Sequence, residues 1–387
     1  MLRLCSIPLL GLSLLTACDS GTGGSAWDDA DFKAEASEAL EGYVHVVTAS
    51  YGDTLTAAKA MQTDIRGFLT APSEASLQKA RDAWLAAREV YGQTEVYRFY
   101  GGPIDADEPL INSWPLDEVY IDYVVDDPEG GIINDLGKKI DRDTLTDLNG
   151  AGGEDDISTG WHAIEFLLWG QDLSADGPGA RPYTDYVTDG TGTAKNQDRR
   201  AAYLEIVTML LVEHLTAVDA AWAESAAYHD EFEHGDAKES LTKILLGMGS
   251  LSGAELSGER MTVAFDTREQ EDEHSCFSDS THRDLYNNAL GIENVYLASY
   301  GGKALGVSVS ALVAARDADL DQTLKTQLRA SVEAIAAIPP PFDQAIAASD
   351  GDPAREAVSA AIAALKAQTK TIAEVATLLD ITLNLEE

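Results

Sequence analysis

The sequence predicts an all-α fold built from antiparallel helical bundles. Three observations predict it. Long stretches are rich in Ala, Leu, Glu and Lys, with apolar residues at helical spacing. Runs of β-branched residues are scarce, and no alternating strand pattern of useful length occurs. Clusters of Gly and Pro separate the periodic segments.

The periodicity predicts helices over 28–50, 53–70, 74–99, 197–228, 236–248, 281–299, 303–316, 318–337 and 353–382. Pro72-Ser73 with Glu74 marks one start, and Asp352-Pro353 marks another, with Pro in the first turn. Pro339-Pro340-Pro341 separates the last two long helices. Residues 100–159 read differently. Gly101-Gly102-Pro103, Asn112-Ser113-Trp114-Pro115, Asp126 to Gly131 and Asn149 to Gly153 are turn chemistry throughout, while Trp114, Tyr120 and Tyr123 argue that this long insertion is packed. A second irregular stretch covers 171–196. Gly247, Gly249 and Gly253 form a near-miss for a phosphate loop, but they follow a helix, so a helix end and turn are expected there.

Glu95 to Gly102 resembles Asn294 to Gly302. Each sits at an expected helix end, where a glycine cap is favoured. Related bundles or merely similar helix ends would both produce this echo. A division near 228–236 suits either, giving domains at 28–232 and 233–387.

Residues 1–17 read as an export signal, with Arg3 ahead of a short apolar stretch from Ile7 to Leu15. Leu15-Thr16-Ala17-Cys18 has the form of a lipobox, which makes Cys18 the lipidated first residue of the mature chain. Residues 18–27 form a Gly/Ser-rich tether. No later stretch approaches the ~20 apolar residues of a membrane helix, so the lipid is expected to be the only membrane attachment. The expected location is the bacterial cell envelope, facing the periplasm or the cell surface. Without Cys5 and Cys18, Cys276 is left as a lone thiol, either inert and buried or functional.

The charge narrows the partners. With 66 Asp+Glu against 27 Lys+Arg the formal net charge is −39, so nothing here could neutralise a run of nucleic-acid phosphates. Docking on anionic lipid is disfavoured equally. A solvated surface explains most of the excess, and cationic partners, metal ions included, are favoured over anionic ones.

The sharpest local feature is Gly160-Trp161-His162-Ala163-Ile164-Glu165. His162 and Glu165, three residues apart, share a helix face, and an imidazole with a carboxylate on one face can ligate a metal. A buried His satisfied by its neighbouring Glu is the plainer explanation. In the helix expected at 74–99, Trp84, Arg88, Tyr91, Glu95 and Arg98 form one stripe. It reads either as a surface stripe of Arg–Glu pairs or as a polar face turned into a cleft. In the second case Glu95 is a further oxygen ligand, oriented by Arg88 and Arg98. Ala83, Ala87, Val90, Thr94 and Tyr97 make the better core face. Residues 269–284 gather His274, Cys276, His282, Asp284 and several carboxylates, a donor set suited to borderline metals. Thr281 and Asp284 also fit a capping box, and His282 lies in register with a core-like stripe. His45, His214, His229 and His234 read as structural or solvated.

These motifs resemble the imelysin family. The match is carried by Gly160-x-His162-x-x-Glu165, by Arg81-x-x-Trp84-x-x-x-Arg88-x-x-Tyr91, and by Thr94-Glu95-x-Tyr97-Arg98-Phe99. Trp114-Pro115-Leu116-Asp117-Glu118, Gly258-Glu259-Arg260-Met261 and Glu271 to Asp279 extend it, the last resembling the iron-regulated-protein-A branch. The resemblance implies two helical-bundle domains packed around an interdomain site. It also implies an envelope protein of iron acquisition that binds iron, another metal such as zinc, or an iron chelate such as haem. An envelope iron-transport partner would follow from that role. The family also carries a peptidase label. Neither His-Glu-x-x-His nor Gly-x-Ser-x-Gly is present, so the residues lend the label little support. Three functions follow: a metal- or chelate-binding lipoprotein, a metallopeptidase using His162 and Glu165, and a partner-docking lipoprotein without metal.

Overall fold

The computed structural model describes residues 25–174 and 177–385. The export signal, the lipobox with Cys18 and the start of the tether lie outside the described residues. From Ser25 onward the expected tether is held in place. Ala26–Asp28 is a 3-10 turn, Trp27 is buried, and its indole Nε1 donates to the Leu379 carbonyl at 2.8 Å.

The fold is all-α, as expected. Among the described residues the single sheet is a two-stranded hairpin, Ser299–Tyr300 against Lys303–Ala304. The first helix, Ala30–Thr70, runs 41 residues without the expected break near 50–53. Gly52 sits inside it, and a helical glycine costs only about 1 kcal/mol. The buried face formed by Tyr43, Val47, Tyr51, Leu55, Met61 and Ile65 outweighs that cost. The next helix, Glu74–Tyr91, starts at a capping box between Ser73 and Ser76. It ends earlier than periodicity suggests, because Gly92–Tyr97 tightens into a 3-10 turn and Phe99 takes a positive φ of 75°.

Gln197–Ala221 packs on the first helix and on a short helix, Gly160–Trp169. Contrary to expectation, it is long and apolar enough to cross a membrane by length and composition. Its buried residues Tyr203, Leu204, Val207, Leu211 and Leu215 belong to the main core, and Arg200 is fully buried, so here it is a core helix.

Ala237–Ser250 continues directly into a 13-residue π-helical stretch, Leu251–Val263. The turn expected at Gly247–Gly253 is absent. The glycines instead allow close approach. A Cβ on Gly247 would meet the Val96 carbonyl, and one on Gly253 would lie 3.0 Å from Thr369 Cγ2. Thr281–Leu297 follows, then the hairpin, whose second strand takes the first two residues of the helix expected at 303–316; only Val309–Ala314 is helical there. Ala318–Ala336 and Pro353–Leu378 pack on each other, the latter capped by Asp352 with Pro353 in its first turn.

Two apolar cores result. The larger lies beneath Ala30–Thr70, Glu74–Tyr91, Gly160–Trp169 and Gln197–Ala221, and it also draws in Leu324, Leu328, Ile372 and Val375. The smaller gathers Leu256, Met261, Leu285, Val332, Ile335, Phe342, Val358 and Leu365.

The insertion at 100–159 is packed, as its aromatics suggest: Ile111, Ile121, Ile132, Ile133 and Leu145 are buried. Asp122 clamps it to the bundle. Its carboxylate accepts from Arg200 Nε at 2.6 Å and Nη2 at 2.8 Å, and from Arg181 Nη1 at 2.6 Å, and all three residues are buried. Removing the acid leaves the buried Arg200 guanidinium without a carboxylate and Arg181 with only the longer contact to Asp185 at 3.4 Å. We therefore predict that Asp122→Asn lowers unfolding free energy by about 3–5 kcal/mol. Chemical denaturation checks this, and a loss under ~1 kcal/mol would contradict it.

Candidate functional site

Gly160–Trp169 is short but buried on every side, its residues apolar or glycine except for His162 and Glu165. Its start is fixed by the chain around it. The Asn149 side-chain oxygen accepts from the backbone N–H groups of Ser158 and Thr159 at 2.9 and 3.1 Å. Gly160 has φ +87°, and a Cβ there would lie 2.5 Å from the Ile111 carbonyl oxygen. Only glycine meets both demands, which explains the first position of the Gly-x-His-x-x-Glu motif.

From this helix His162 and Glu165 point the same way. His162 Nδ1 lies 2.9 Å from Glu165 Oε2. Glu165 Oε1 accepts from the backbone N–H of Ser278 at 2.9 Å and from its hydroxyl at 2.6 Å. A second arm of the same kind faces the first. His274 Nδ1 lies 2.9 Å from Asp284 Oδ2, which also accepts from the Ser275 hydroxyl at 2.5 Å. The two imidazole rings meet edge to face, with centroids 4.6 Å apart at 75°. Each arm therefore runs serine, carboxylate, imidazole. Each histidine leaves Nε2 buried without a hydrogen-bond partner.

Arg88 braces the second arm. Its Nε donates to Asp284 Oδ1 at 3.1 Å, its Nη2 lies 2.8 Å from Asp284 Oδ2, and its Nη1 donates to Asn112 Oδ1 at 2.6 Å. Asn112 in turn donates to Glu95 Oε2 at 3.3 Å. The same Glu95 oxygen accepts from Arg260 at 2.6 Å and Arg98 at 3.1 Å. Arg260 sits on the π-helical stretch and also reaches Glu255 and Asn288. Trp114 packs edge to face on His274 at 5.7 Å, and its Nε1 donates to the Glu273 carbonyl.

Electrostatics follow from burial. His162 is pushed down to about 3, by desolvation first and the Arg88 charge second. His274 is pushed down to about 3, by desolvation and then Arg260. Both rings are neutral at pH 7. Burial pushes Glu165 up to about 8. Burial also opposes the charge on Glu95 and Asp284, but Arg98 and Arg260 hold Glu95, and Arg88 holds Asp284, well below the usual carboxylate range.

The structure thus brings His162, Glu165, His274 and Asp284 together, with Arg88 bonded to one arm. Glu95 and Arg98 belong to an adjoining ion-pair cluster. Among the described residues no three His, Cys, Asp or Glu side chains converge as a metal-holding group. Of the four expected donors, His162, Glu165 and His274 come together, whereas Glu95 lies in the adjoining ion-pair cluster. Both Glu165 oxygens are engaged by His162 and Ser278, and Glu95 Oε2 is held by cations.

Cys276 is buried in the main core beside Phe277. Burial raises its thiol well above the usual range, which disfavours the thiolate. His282 bonds to the Ile335 backbone. The Thr281–Asp284 capping box does not form. Thr281 Oγ1 accepts from the Ser275 backbone N–H, and Asp284 serves Arg88 and His274. The stripe through Trp84, Arg88, Tyr91 and Glu95 is fully buried, whereas Ala83 and Val90, expected in the core, are half-buried. His45, His214, His229 and His234 stay outside the site, each on a local carbonyl or carboxylate partner.

Sequence reasoning did not single out Ser275, Ser278, Asn112 or Arg260 as site residues. Arg260 lay inside a quoted motif. The serines are ordinary residues whose role depends on carboxylates far away in sequence.

With a carboxylate between serine and imidazole, neither histidine can deprotonate its serine, so neither arm is a nucleophilic triad. The arrangement does orient two imidazoles through their Nδ1 atoms, as outer carboxylates do around metal-bound histidines.

An all-α chain with a buried Gly-x-His-x-x-Glu helix facing a second histidine–carboxylate arm defines a class. The Imelysin family (peptidase M75) matches residues 47–372. The chain belongs to the imelysin family, on its iron-regulated-protein-A-like branch. Iron-regulated protein A of Synechococcus elongatus is 24% identical over 343 residues, covering 85% of this chain and 83% of that protein. A crystal structure described as an iron-regulated protein A precursor from Parabacteroides distasonis superposes with a TM-score of 0.69 at 20% identity, covering 92% of this chain and 97% of that one. An imelysin-like protein from Psychrobacter arcticum gives a TM-score of 0.63 at 14% identity, covering 92% and 99%.

The carboxylates around the second arm generate a pH prediction. Burial, then Asp172 and Asp343, push Asp279 up to about 7. A carboxyl with a folded value above its unfolded one destabilises the fold once pH exceeds the unfolded value, increasingly until the folded value is passed. Asp279 has a φ of 57°, which Asn tolerates equally. Asp279→Asn should raise the melting temperature at pH 8, and the gain should vanish by pH 4. An equal gain at both pH values in a thermal melt would contradict this.

Proposed function

We propose that the mature chain is a lipid-anchored envelope protein that binds a transition-metal cation at His162 and His274, with iron the first candidate and zinc the second. The observation that carries this reading is the pair of unpartnered, buried Nε2 atoms, each on a ring held at Nδ1 by a carboxylate. A buried polar atom without a partner is unfavourable by about 1–3 kcal/mol, so two on neighbouring rings suggest a ligand. Neutral imidazole nitrogen suits iron and zinc alike. The names of the iron-regulated relatives favour iron.

The residues fit a metal as a two-imidazole site. His162 and His274 would hold the ion, Glu165 and Asp284 would orient them, and remaining positions would fall to solvent or to a ligand arriving with the ion. A bound metal would supply Lewis acidity there. The edge-to-face contact of the rings favours a bare ion over haem, since a porphyrin between them would have to force them apart. The arrangement of 28–232 and 233–387 as two domains flanking this site belongs to the same proposal, as does an envelope transport partner. Glu165 is a poor general base in this setting, because each of its oxygens is already engaged.

Titrating purified mature protein with Fe2+ and Zn2+ in a calorimeter tests the site. We expect one site, lost in both His162→Ala and His274→Ala. Glu165→Gln should weaken it about 10- to 100-fold, because its amide N–H, unlike the carboxyl proton of Glu165, cannot be given up to free Nε2 of His162 for the ion. Absence of binding, or unchanged affinity in the histidine variants, would contradict the reading. For the anchor, Cys18→Ser should move the protein from the membrane fraction to the soluble envelope fraction; retention in the membrane would sink the lipoprotein assignment.

A further inference from the structure

An open hollow of about 640 Å³ ends at Trp114, and neither histidine lines it. Its wall contains Pro109, Trp114, Pro115, Glu154, Ile157 and the Gly-Ala-Gly-Gly stretch 150–153. Trp114 is shared: one part of the indole faces this cavity, and another packs on His274. Behind it, His274 is 1% exposed with Nε2 unpartnered. Trp114 thus stands between a solvent-filled space and a buried donor.

The rim of the cavity carries one sign of charge. Glu154 lines it, and the Asp155 and Asp156 carboxylates lie against Gly153 and Gly152. Asp117 is tied to the same loop, its backbone N–H donating to the Asp155 carbonyl at 2.8 Å. No Lys or Arg lines the wall. A concave acidic mouth raises the local concentration of cations and repels anions.

Resting on the metal-site reading above, we propose that this cavity is the vestibule by which a hydrated cation, rather than an anionic chelate, reaches His274 and His162, and that Trp114 must turn aside to admit it. Carboxylates 154–156 select the ligand by charge, and Trp114 sets the rate of passage in both directions. Exposed Glu154 and Asp155 and half-buried Asp156 can be neutralised with little effect on the core.

The test is stopped-flow binding of Zn2+ against a chelating dye, using the mature protein. The variant Glu154→Gln/Asp155→Asn/Asp156→Asn should slow association at least about tenfold at 20 mM salt, with the difference disappearing at 0.5 M salt. Trp114→Ala should speed association and dissociation together, leaving equilibrium affinity within about threefold. Ferric citrate, an anion, should associate faster with the neutralised variant than with the wild type. If Zn2+ binds, and depends on His162, but its association rate ignores both variants at low salt, the vestibule is wrong while the metal site stands. If Zn2+ does not bind the wild type, both fall.

Discussion

The structure around His162 and His274 depends on one ion pair, Arg88 with Asp284. Each side chain is 1% exposed, and the two residues come from helices almost two hundred positions apart in sequence. A charge buried in protein is tolerated only when paired and hydrogen-bonded, so this contact fixes how Glu74–Tyr91 meets Thr281–Leu297. From Asp284 the network passes to His274 and Ser275. From Arg88 it passes through Asn112 to Glu95, Arg260 and Arg98. Lose either end and several polar groups are left unpaired out of water.

That constraint also accounts for the state of the imidazoles. Desolvation and the nearby guanidinium charges of Arg88 and Arg260 keep both rings neutral, which is the form that can donate a lone pair to a metal. The carboxylates do different work in the two arms. Asp284 is firmly ionised by Arg88, whereas Glu165, without a cation bonded to it, is raised by burial. The two arms share a layout but not a charge: Asp284 holds the ring proton of His274 on Nδ1, and Glu165 can do the same for His162 once it gives up its own proton, as metal binding would require.

Much of this was legible in the sequence. Helical periodicity located most long helices, and the His162–Glu165 pair was visible because three-residue spacing places both on one helix face. The dense segment near His274 was visible by composition. What spacing could not reveal was which charges are buried. The Arg88–Glu95 stripe looked like a surface or cleft face, because its partners Asp284 and Arg260 come from the far half of the chain. Arg260 reaches Glu95 from a π-helical run that continues a regular helix, where the glycines suggested a turn. Glu165 looked like a ligand because Ser278, which occupies its second oxygen, is 113 positions away. Cys276 looked chemical because of its neighbours and turned out to be core.

The central claim is that the two Nε2 atoms face one cation. Anomalous diffraction from crystals of the mature protein soaked in Zn2+ at the zinc edge tests it most directly. The account predicts one strong peak about 2.0–2.1 Å from Nε2 of both His162 and His274. A well-ordered site with zinc bound elsewhere, or no peak between the rings at saturating metal, would contradict it.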